Sequence, residues 1–205
     1  GGQFNLARRI PGKEEFNETL RYYQAQLDKL GVNVQLNSRV TVSQLNHSNF
    51  DEVILATGIV PLLPDIEGID HPCVVNYIDV ISGKVEVGER VAIIGAGGIG
   101  FDTAEYLSHA GESTSQNIAA FMEEWGIDMS LQSRGGIEGV EARFAASPRT
   151  IYLCQRKAEG LGKRLGKTTG WIHRLGLVKR GIKMLAACDY QRIDDDGLHL
   201  LVDHE

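Results

Sequence analysis

The sequence lacks the motifs that mark several common functional classes. Its three cysteines, Cys73, Cys154 and Cys188, include no Cys-x-x-Cys pair, so neither a zinc site nor a dithiol redox motif is predicted. No apolar run approaches the roughly 20 residues that span a bilayer, and a net charge of −6 provides no basic surface for nucleic acid or membranes. We therefore expect a cytoplasmic protein with free, buried thiols and with neither a nucleic-acid nor a membrane partner.

Catalytic motifs are also missing. The sequence has no Gly-x-Ser-x-Gly, no His-Glu-x-x-His and no tyrosine followed four residues later by lysine, which excludes several hydrolase, metalloprotease and dehydrogenase mechanisms. His71, His109 and His173 have no carboxylate or cysteine cluster at ligand spacing, so they are interpreted as surface or capping residues. Asp194–Asp196 lacks the spacing of a calcium loop. We predict no catalytic residue and no metal ligand in this chain.

The composition is that of an ordinary globular protein, with 42% hydrophobic and 23% charged residues in a chain of 205. Apolar residues three and four positions apart predict a helix over about 13–30, ended by Gly31. Alternating apolar residues predict a short strand at 32–36, and a continuous apolar run predicts a buried strand at 53–56. The chain begins Gly1-Gly2-Gln3 without methionine, and we interpret it as a piece of a longer polypeptide.

The rest of the chain has the alternation of an α/β domain. Strands and helices are predicted in turn at 90–94, 101–107, 150–154, 168–179 and 182–185, and a hairpin is predicted around Asp194-Asp195-Asp196-Gly197. This order predicts a Rossmann-type fold, a parallel sheet with helices on both faces, plus a small antiparallel hairpin; the first strand reads as buried. Residues 112–148 are too long for a simple connection and are interpreted as an insertion that contains one short helix near 118–125.

A glycine fingerprint directly follows the first of these strands. The segment is Gly95-Ala96-Gly97-Gly98-Ile99-Gly100, and a helix opens after it. In this setting Gly95 permits the tight turn, Gly97 the close approach of a pyrophosphate and Gly100 the packing of helix on strand. The N–H groups and the positive end of the helix then hold the anion. All six residues are predicted to bind a dinucleotide.

The end of the next strand indicates which dinucleotide is bound. NAD sites usually carry an acidic residue there for the ribose hydroxyls, but this sequence has Gln155-Arg156-Lys157. Two cations favour the additional phosphate of NADP(H), with which Arg156 can make a bidentate pair, so these three residues are predicted to bind NADP(H). The loop that follows carries more cations, which either assist that phosphate or belong to a solvated surface: Lys163, Arg164 and Lys167. One of two threonines is predicted to cap the next helix: Thr168 or Thr169.

Six stretches of the sequence together resemble one family. The matching segments are GGQFNLARRIPGKEEF (1–16), FDEVILATG (50–58), VAIIGAGGIGFDTAEYL (91–107), LCQRK (153–157), GKRLGKTTGWIHR (162–174) and DDDGLHL (194–200). They resemble the bacterial-type NADPH-dependent 2,4-dienoyl-CoA reductases, relatives of old yellow enzyme that carry FMN, an iron–sulfur cluster and FAD. The resemblance extends over essentially the whole chain, and GKTTGWIHR (166–174) is its most specific segment.

The resemblance implies a larger enzyme. In that family an N-terminal barrel holds FMN, the cluster and the substrate-reducing residues, FAD has its own Rossmann domain, and NADPH enters at a second one inserted within it. Residues 1–61 then correspond to a partial FAD-binding segment and residues 62–205 to the NADP(H)-binding domain. The implied partners are NADPH and the FAD and barrel domains of the same polypeptide. The segment that lies beside FAD is implied to contribute Gly2, Gln3, Ala56, Thr57 and Gly58.

The implied function is transfer of hydride from NADPH to FAD for the reduction of unsaturated fatty acyl-CoA in β-oxidation. The chain has no barrel, no cluster cysteines and no first FAD fingerprint, so by itself it is expected to be catalytically incomplete. Two alternatives stay open. One is another flavin and iron–sulfur oxidoreductase, of the enoate reductase or amine dehydrogenase type, and the other is a non-catalytic Rossmann binding module.

Overall fold

The computed structural model describes residues 1–203 of the chain. Within them the helices and strands follow the order expected for an α/β unit preceded by an irregular segment. Their bounds are α1 Gln3–Ala7, α2 Phe16–Lys29, α3 Val42–Asn46, α4 Tyr77–Ser82, β1 Arg90–Ile94, α5 Gly98–Ser108, α6 Ile118–Trp125, β2 Thr150–Cys154, α7 Gly170–Lys179, β3 Lys183–Leu185, β4 Cys188–Asp194 and β5 Gly197–Val202.

The centre of the molecule is a parallel sheet in the order β1-β2-β3. Arg90 pairs with Thr150 at the start of β1 and β2, and Tyr152 pairs with Lys183 between β2 and β3. Strands β4 and β5 form a separate antiparallel hairpin, closed between Asp194 and Gly197. The parallel sheet with crossover helices and the small hairpin confirm the Rossmann-type fold class.

The core lies between the sheet and three helices. Ile151 and Leu153 of β2, two positions apart and therefore on one face of the strand, are buried there. Phe101, Ala104 and Leu107 of α5 recur every three residues and cover them. Leu177 of α7 and Val80 of α4 complete the same cluster. Each of these large side chains contributes about 1.5–3 kcal/mol through burial, which fixes the strand–helix–strand unit that carries the glycine turn.

Strand β1 departs from its sequence interpretation. Its continuous apolar run predicts a fully buried strand, but Ala92 is exposed and Val91, Ile93 and Ile94 are only half-buried. The reason is topological, because β1 is an edge of this sheet and pairs with β2 alone among residues 1–203. A run like this one suits a central strand.

Helix α2 is confirmed within a few residues of its predicted limits. Gly31 ends it with φ of 66°, and the amides of Gly31 and Val32 donate to the carbonyls of Asp28 and Leu27 at 3.2 and 3.0 Å, the arrangement that glycine favours after a helix. None of its residues is buried. In the part of the chain that the structure describes, no helix is both long and apolar enough to cross a bilayer.

The two strands predicted at 32–36 and 53–56 are wrong. Both segments are without regular structure, and their apolar side chains face solvent: Ile54 is 89% and Leu55 78% exposed. A strand gains its stability from ladder hydrogen bonds and from a face buried on a core. Residues 1–203 supply neither a neighbouring strand nor a covering helix for these segments, so strand-forming sequence alone does not produce a strand here.

The first sixteen residues pack onto the α/β unit. Ile10 is 1% exposed, and the Arg9 guanidinium donates to the carbonyl oxygens of Ile81 and Ser82 at 3.2 and 2.9 Å. Lys13 forms an ion pair of 2.5 Å with Asp102 on the outer side of α5. These contacts hold the beginning of the chain on α4 and α5, whereas 17–63 carries little buried surface. The boundary at residue 61 stays a prediction.

The insertion contains the predicted short helix, α6, and is held by a buried ion pair. Arg180, which follows α7, places Nη2 2.5 Å from Glu124 Oε1 of α6, and the two side chains are 5% and 8% exposed. The Arg180 guanidinium also donates to the Ala145 carbonyl at 3.4 Å and lies 5.7 Å from the centre of the Phe144 ring. Thr114 donates a short hydrogen bond to Glu124. These contacts anchor residues 114–145 to the end of α7.

The interpretation as surface or capping residues is confirmed for His109, which is the C-cap of α5 and whose Nδ1 lies 2.9 Å from the Glu105 carbonyl oxygen, but it is wrong for His173. Both are largely buried and flank one carboxylate, Glu105 of α5, with nitrogen–oxygen distances of 3.5 Å each. Arg180 Nε lies 4.0 Å from the same carboxylate. Helix α5 brings Glu105 and His109 one turn apart, but only the packing of α7 on α5 adds His173, so sequence spacing alone does not show this cluster.

Candidate nucleotide-binding site

The glycine fingerprint forms the turn between β1 and α5. Gly95 has φ of 108°, a left-handed conformation that glycine adopts without strain, and its amide donates to the Cys154 carbonyl at 2.8 Å. A β-carbon on Gly100 would collide with the Gly95 carbonyl and lie 3.4 Å from Leu153 Cδ1. Gly95 and Gly100 therefore have the structural roles predicted for them.

Gly97 and Gly98 are glycines for a different reason. A β-carbon on either would meet no non-neighbouring atom of residues 1–203 within 4 Å, so packing does not require them. Gly97 is the N-cap of α5 and supplies no side-chain acceptor to the first turn. The first N–H groups of the helix consequently remain available on an open surface. A pyrophosphate fits there, since it accepts such donors and is favoured by the helix dipole. Ala96 and Ile99 lie in the same turn.

The residues after β2 are held in place by backbone hydrogen bonds. The Gln155 amide donates to the Leu185 carbonyl at 2.9 Å, and the Lys157 carbonyl accepts from Ala187 at 3.0 Å. The Gln155 side-chain amide donates to the Lys157 carbonyl at 3.0 Å and also to the Glu159 carbonyl. Gln155 thus braces the loop. Arg156 and Lys157 are exposed, and neither forms an ion pair with any residue of 1–203, which leaves two cations beside the carboxyl end of β2.

A carboxylate that the sequence analysis missed, Glu159, lies in the following loop. Its oxygens are 3.6 Å from Lys163 Nζ and 3.5 Å from Arg164 Nε, so these two cations are partly neutralised. Lys167 forms no such pair within the described chain. Thr169 is the N-cap of α7, as predicted, but its hydroxyl does not bond to the helix. Glu159 lies in the loop after β2, four residues before Lys163 and five before Arg164.

The cysteines match their prediction in part. Cys154 and Cys188 are buried, but Cys73 is exposed, with its sulfur 3.0 Å from His71 Nδ1. Burial, together with the neighbouring Cys188, raises the pKa of the Cys154 thiol to about 12. The neighbouring hydroxyl of Tyr190 is buried without a hydrogen-bond partner in residues 1–203, and burial raises its pKa as well. These groups are neutral at ordinary pH and supply no nucleophile.

The residues expected beside FAD are not assembled into a site. Gln3 accepts a hydrogen bond of 3.0 Å from the Tyr77 hydroxyl, and Gly2 precedes α1 with φ of 57°. Ala56, Thr57 and Gly58 lie in the exposed segment that forms no strand. No hydrogen bond within 1–203 joins this segment to Gly2 or Gln3. Their position beside FAD stays a prediction.

A glycine turn that follows a parallel strand and opens a helix defines a dinucleotide-binding domain. Comparison of the whole chain with known families allows a closer assignment. The chain belongs to the pyridine nucleotide-disulphide oxidoreductase family, whose profile matches residues 29–203. This family is one of pyridine nucleotide-dependent oxidoreductases.

Three similar proteins illustrate the family. The metal reductase of Desulforamulus reducens is 25% identical over 202 residues, which cover 97% of this chain and 29% of that protein. The NADH oxidase of Thermoanaerobacter brockii is 32% identical over 154 residues, 73% of this chain and 23% of that protein. The solved structure of 2-naphthoyl-CoA reductase in complex with 2-naphthoyl-CoA superposes with a TM-score of 0.73 at 26% identity, covering 99% of this chain and 25% of that one. The chain spans less than a third of each.

Proposed function

We propose that this chain is the NADP(H)-binding part of a flavin-dependent 2,4-dienoyl-CoA reductase, in which it presents NADPH so that hydride passes to FAD. The observation that carries the proposal is the glycine turn of 95–100, open at Gly97 and Gly98. Beyond the end of the neighbouring strand lie Arg156 and Lys157, which form no ion pair within residues 1–203. The role of the chain is orientation, because holding the two reactants in one geometry lowers the entropic part of the barrier.

Each part of the site has a separate task in this proposal. The amides at the start of α5 bind the pyrophosphate, and the missing side chains at Gly97 and Gly98 allow its close approach. Arg156, braced through the backbone of its loop, pairs with the 2′-phosphate of the adenosine ribose, and Lys157 adds a second charge. The bound nicotinamide supplies the hydride. The flavin is proposed to be held by the remainder of a longer polypeptide.

The proposed acyl substrate is an unsaturated coenzyme A thioester. It is supported by the GKTTGWIHR segment (166–174) and by the similarity to a structure named as a reductase of a coenzyme A thioester. Other relatives are named for different substrates, a metal reductase among them. We therefore keep a second candidate, another flavin and iron–sulfur oxidoreductase of the enoate reductase or amine dehydrogenase type, which uses the same nucleotide site.

The cofactor assignment is tested by titrating the purified chain with NADPH and NADH, with calorimetric detection, and by repeating both titrations with Arg156→Ala. We expect NADPH to bind more tightly, and the variant to lose about tenfold or more in NADPH affinity, the range of a charge-assisted pair. Binding of NADH should hardly change. Arg39→Ala, at an exposed arginine far along the chain from the site, is the matched control. Equal affinity for both nucleotides in the unaltered chain would contradict the NADP assignment.

A further inference from the structure

Outside the nucleotide-binding turn, a thiol, an imidazole and a carboxylate lie in one line on the surface. Cys73 Sγ is 3.0 Å from His71 Nδ1, and the other ring nitrogen, Nε2, is 3.2 Å from Asp195 Oδ1. Within residues 1–203 no other charged side chain forms a hydrogen bond or an ion pair with this imidazole. The order of nucleophile, base and carboxylate is the one that activates a thiol.

Two packed segments of the chain bring these side chains together. The Ile193 amide of β4 donates to the Glu67 carbonyl at 2.8 Å, and a β-carbon on Gly68 would collide with the Ile193 carbonyl. The His71 amide then donates to the Gly68 carbonyl at 2.9 Å. The turn that carries His71 therefore rests on β4, and the end of the same hairpin presents Asp195.

The backbone determines which nitrogen of His71 carries the proton. The Cys73 amide donates to Nδ1 at 3.3 Å, and a backbone N–H group has no acceptor function. Nδ1 is therefore the unprotonated nitrogen of the neutral ring, and Nε2 carries the hydrogen and donates it to the Asp195 carboxylate. The thiol of Cys73 consequently has a free base within hydrogen-bond distance, and the carboxylate stabilises the imidazolium that forms when the proton moves.

We infer that Cys73 is a modification site, a nucleophilic thiol that undergoes thiol–disulfide exchange with low-molecular-weight disulfides. His71 Nδ1 takes the thiol proton as the sulfur attacks. A bond forms between Cys73 Sγ and one sulfur of the small disulfide, and the S–S bond of that disulfide breaks. The other half leaves as a thiolate and takes up the proton from His71. Cys73 is thereby oxidised to a mixed disulfide, and one small thiol is released as the reduced product.

Exposure distinguishes Cys73 from the other two thiols of the chain. Cys73 and the Asp195 side chain are exposed, and the His71 side chain is 25% exposed, so a small reagent reaches the sulfur. Cys154 and Cys188 are buried, and such thiols are inert in the native protein. The site is separate from the nucleotide-binding turn, and the inference does not depend on the proposed function.

The inference is tested by the rate at which the native chain reacts with dithiodipyridine, a neutral disulfide whose released thiopyridone is followed by absorbance. We expect one fast thiol, and Cys73→Ser should abolish it. His71→Gln should slow the reaction about tenfold near pH 7, where a thiol without a base is only a few per cent ionised. Mass spectrometry of the chain treated with oxidised glutathione should show one adduct, again lost in Cys73→Ser.

The carboxylate is tested by a matched pair of variants in the hairpin turn. Asp195→Asn should slow the reaction only about twofold to threefold, because the carboxylate is fully exposed and its interaction with the ring is screened by solvent. Asp196→Asn removes the same charge from the next residue, which forms no hydrogen bond or ion pair with His71 in the described chain. This control should react like the unaltered chain. Circular dichroism of each variant shows whether it has folded.

The dependence of the rate on pH separates activation of the thiol from simple exposure. Near about pH 10 an exposed thiol is ionised without a base, so the unaltered chain and His71→Gln should react at similar rates there. Equal rates of these two proteins at neutral pH would overturn the inference, since the imidazole would then not activate the thiol. A fast reaction that survives in Cys73→Ser would overturn it as well, because a different cysteine would be the modified one.

Discussion

At the scale of single residues, the fingerprint glycines are of two kinds. Some are required by close packing in the protein, and others leave room for the pyrophosphate to approach the backbone. Gly100→Ala forces a β-carbon into the Gly95 carbonyl, and we expect it to lower the free energy of unfolding by about 1–3 kcal/mol, as overpacking does. Gly98→Ala enters open space at the start of α5, and the helix propensity of alanine should raise stability by up to about 1 kcal/mol. Urea denaturation measures both. Equal stability of the two variants would contradict this division.

Sequence reasoning identified the fingerprint because its residues are contiguous and their backbone demands are local. Gly95 needs its positive φ and Gly100 its close contact in any strand–turn–helix unit of this kind. His173 and Arg180 as partners of Glu105 are different, because they depend on how α7 packs on α5. One sequence without its fold contains no signal for them.

At the scale of elements, two neighbouring glutamates of α6 differ in how much the same substitution is expected to destabilise the fold. Glu124 is buried against Arg180, whereas Glu123 meets Arg143 at 3.3 Å on the exposed side of the helix. Glu124→Ala leaves the Arg180 charge buried without its partner, so we expect a loss of about 3–5 kcal/mol in the free energy of unfolding. Glu123→Ala should cost at most about 1 kcal/mol. Urea denaturation of the two glutamate variants measures these costs. The comparison includes Arg180→Met and the Glu124→Ala/Arg180→Met double variant.

The double variant shows whether the cost lies in the unpaired charge. If removing both groups restores stability relative to Glu124→Ala, the buried arginine is the cause. If both glutamate variants lose the same amount, the insertion is held by its apolar contacts and not by this pair. The helix itself was predictable from Ile118, Phe121 and Trp125, but the ion pair that fastens it joins residues 56 apart and was not.

At the scale of the whole molecule, the predicted strands and helices form in the α/β unit, whereas the predicted strands of the segment before it do not. Residues 90–202 contain their own strand partners and covering helices, so the order of elements read from the sequence is reproduced. Residues 53–56 carry an equally strong strand pattern and form no strand, because a strand is completed by a neighbour that 1–203 do not contain. The apolar side chains left outside, Leu62 at 93% exposed among them, form a surface that ordinarily marks an interface.

Under the proposed function, this surface packs against the rest of a longer polypeptide. They are several times longer than the chain, which spans 29% of the metal reductase, and the similar reductase structure accommodates 99% of the chain. We expect the amides of 50–63 to exchange hydrogen rapidly in this chain, because no ladder protects them. A longer polypeptide that carries the proposed flavin domain should slow them strongly, while the amides of α5 stay protected in both. Hydrogen–deuterium exchange with peptide resolution measures this. If 50–63 is already protected in this chain, the segment is ordered without those partners. If 50–63 still exchanges rapidly in the longer polypeptide, its apolar residues do not form a paired strand there, and the expectation is wrong.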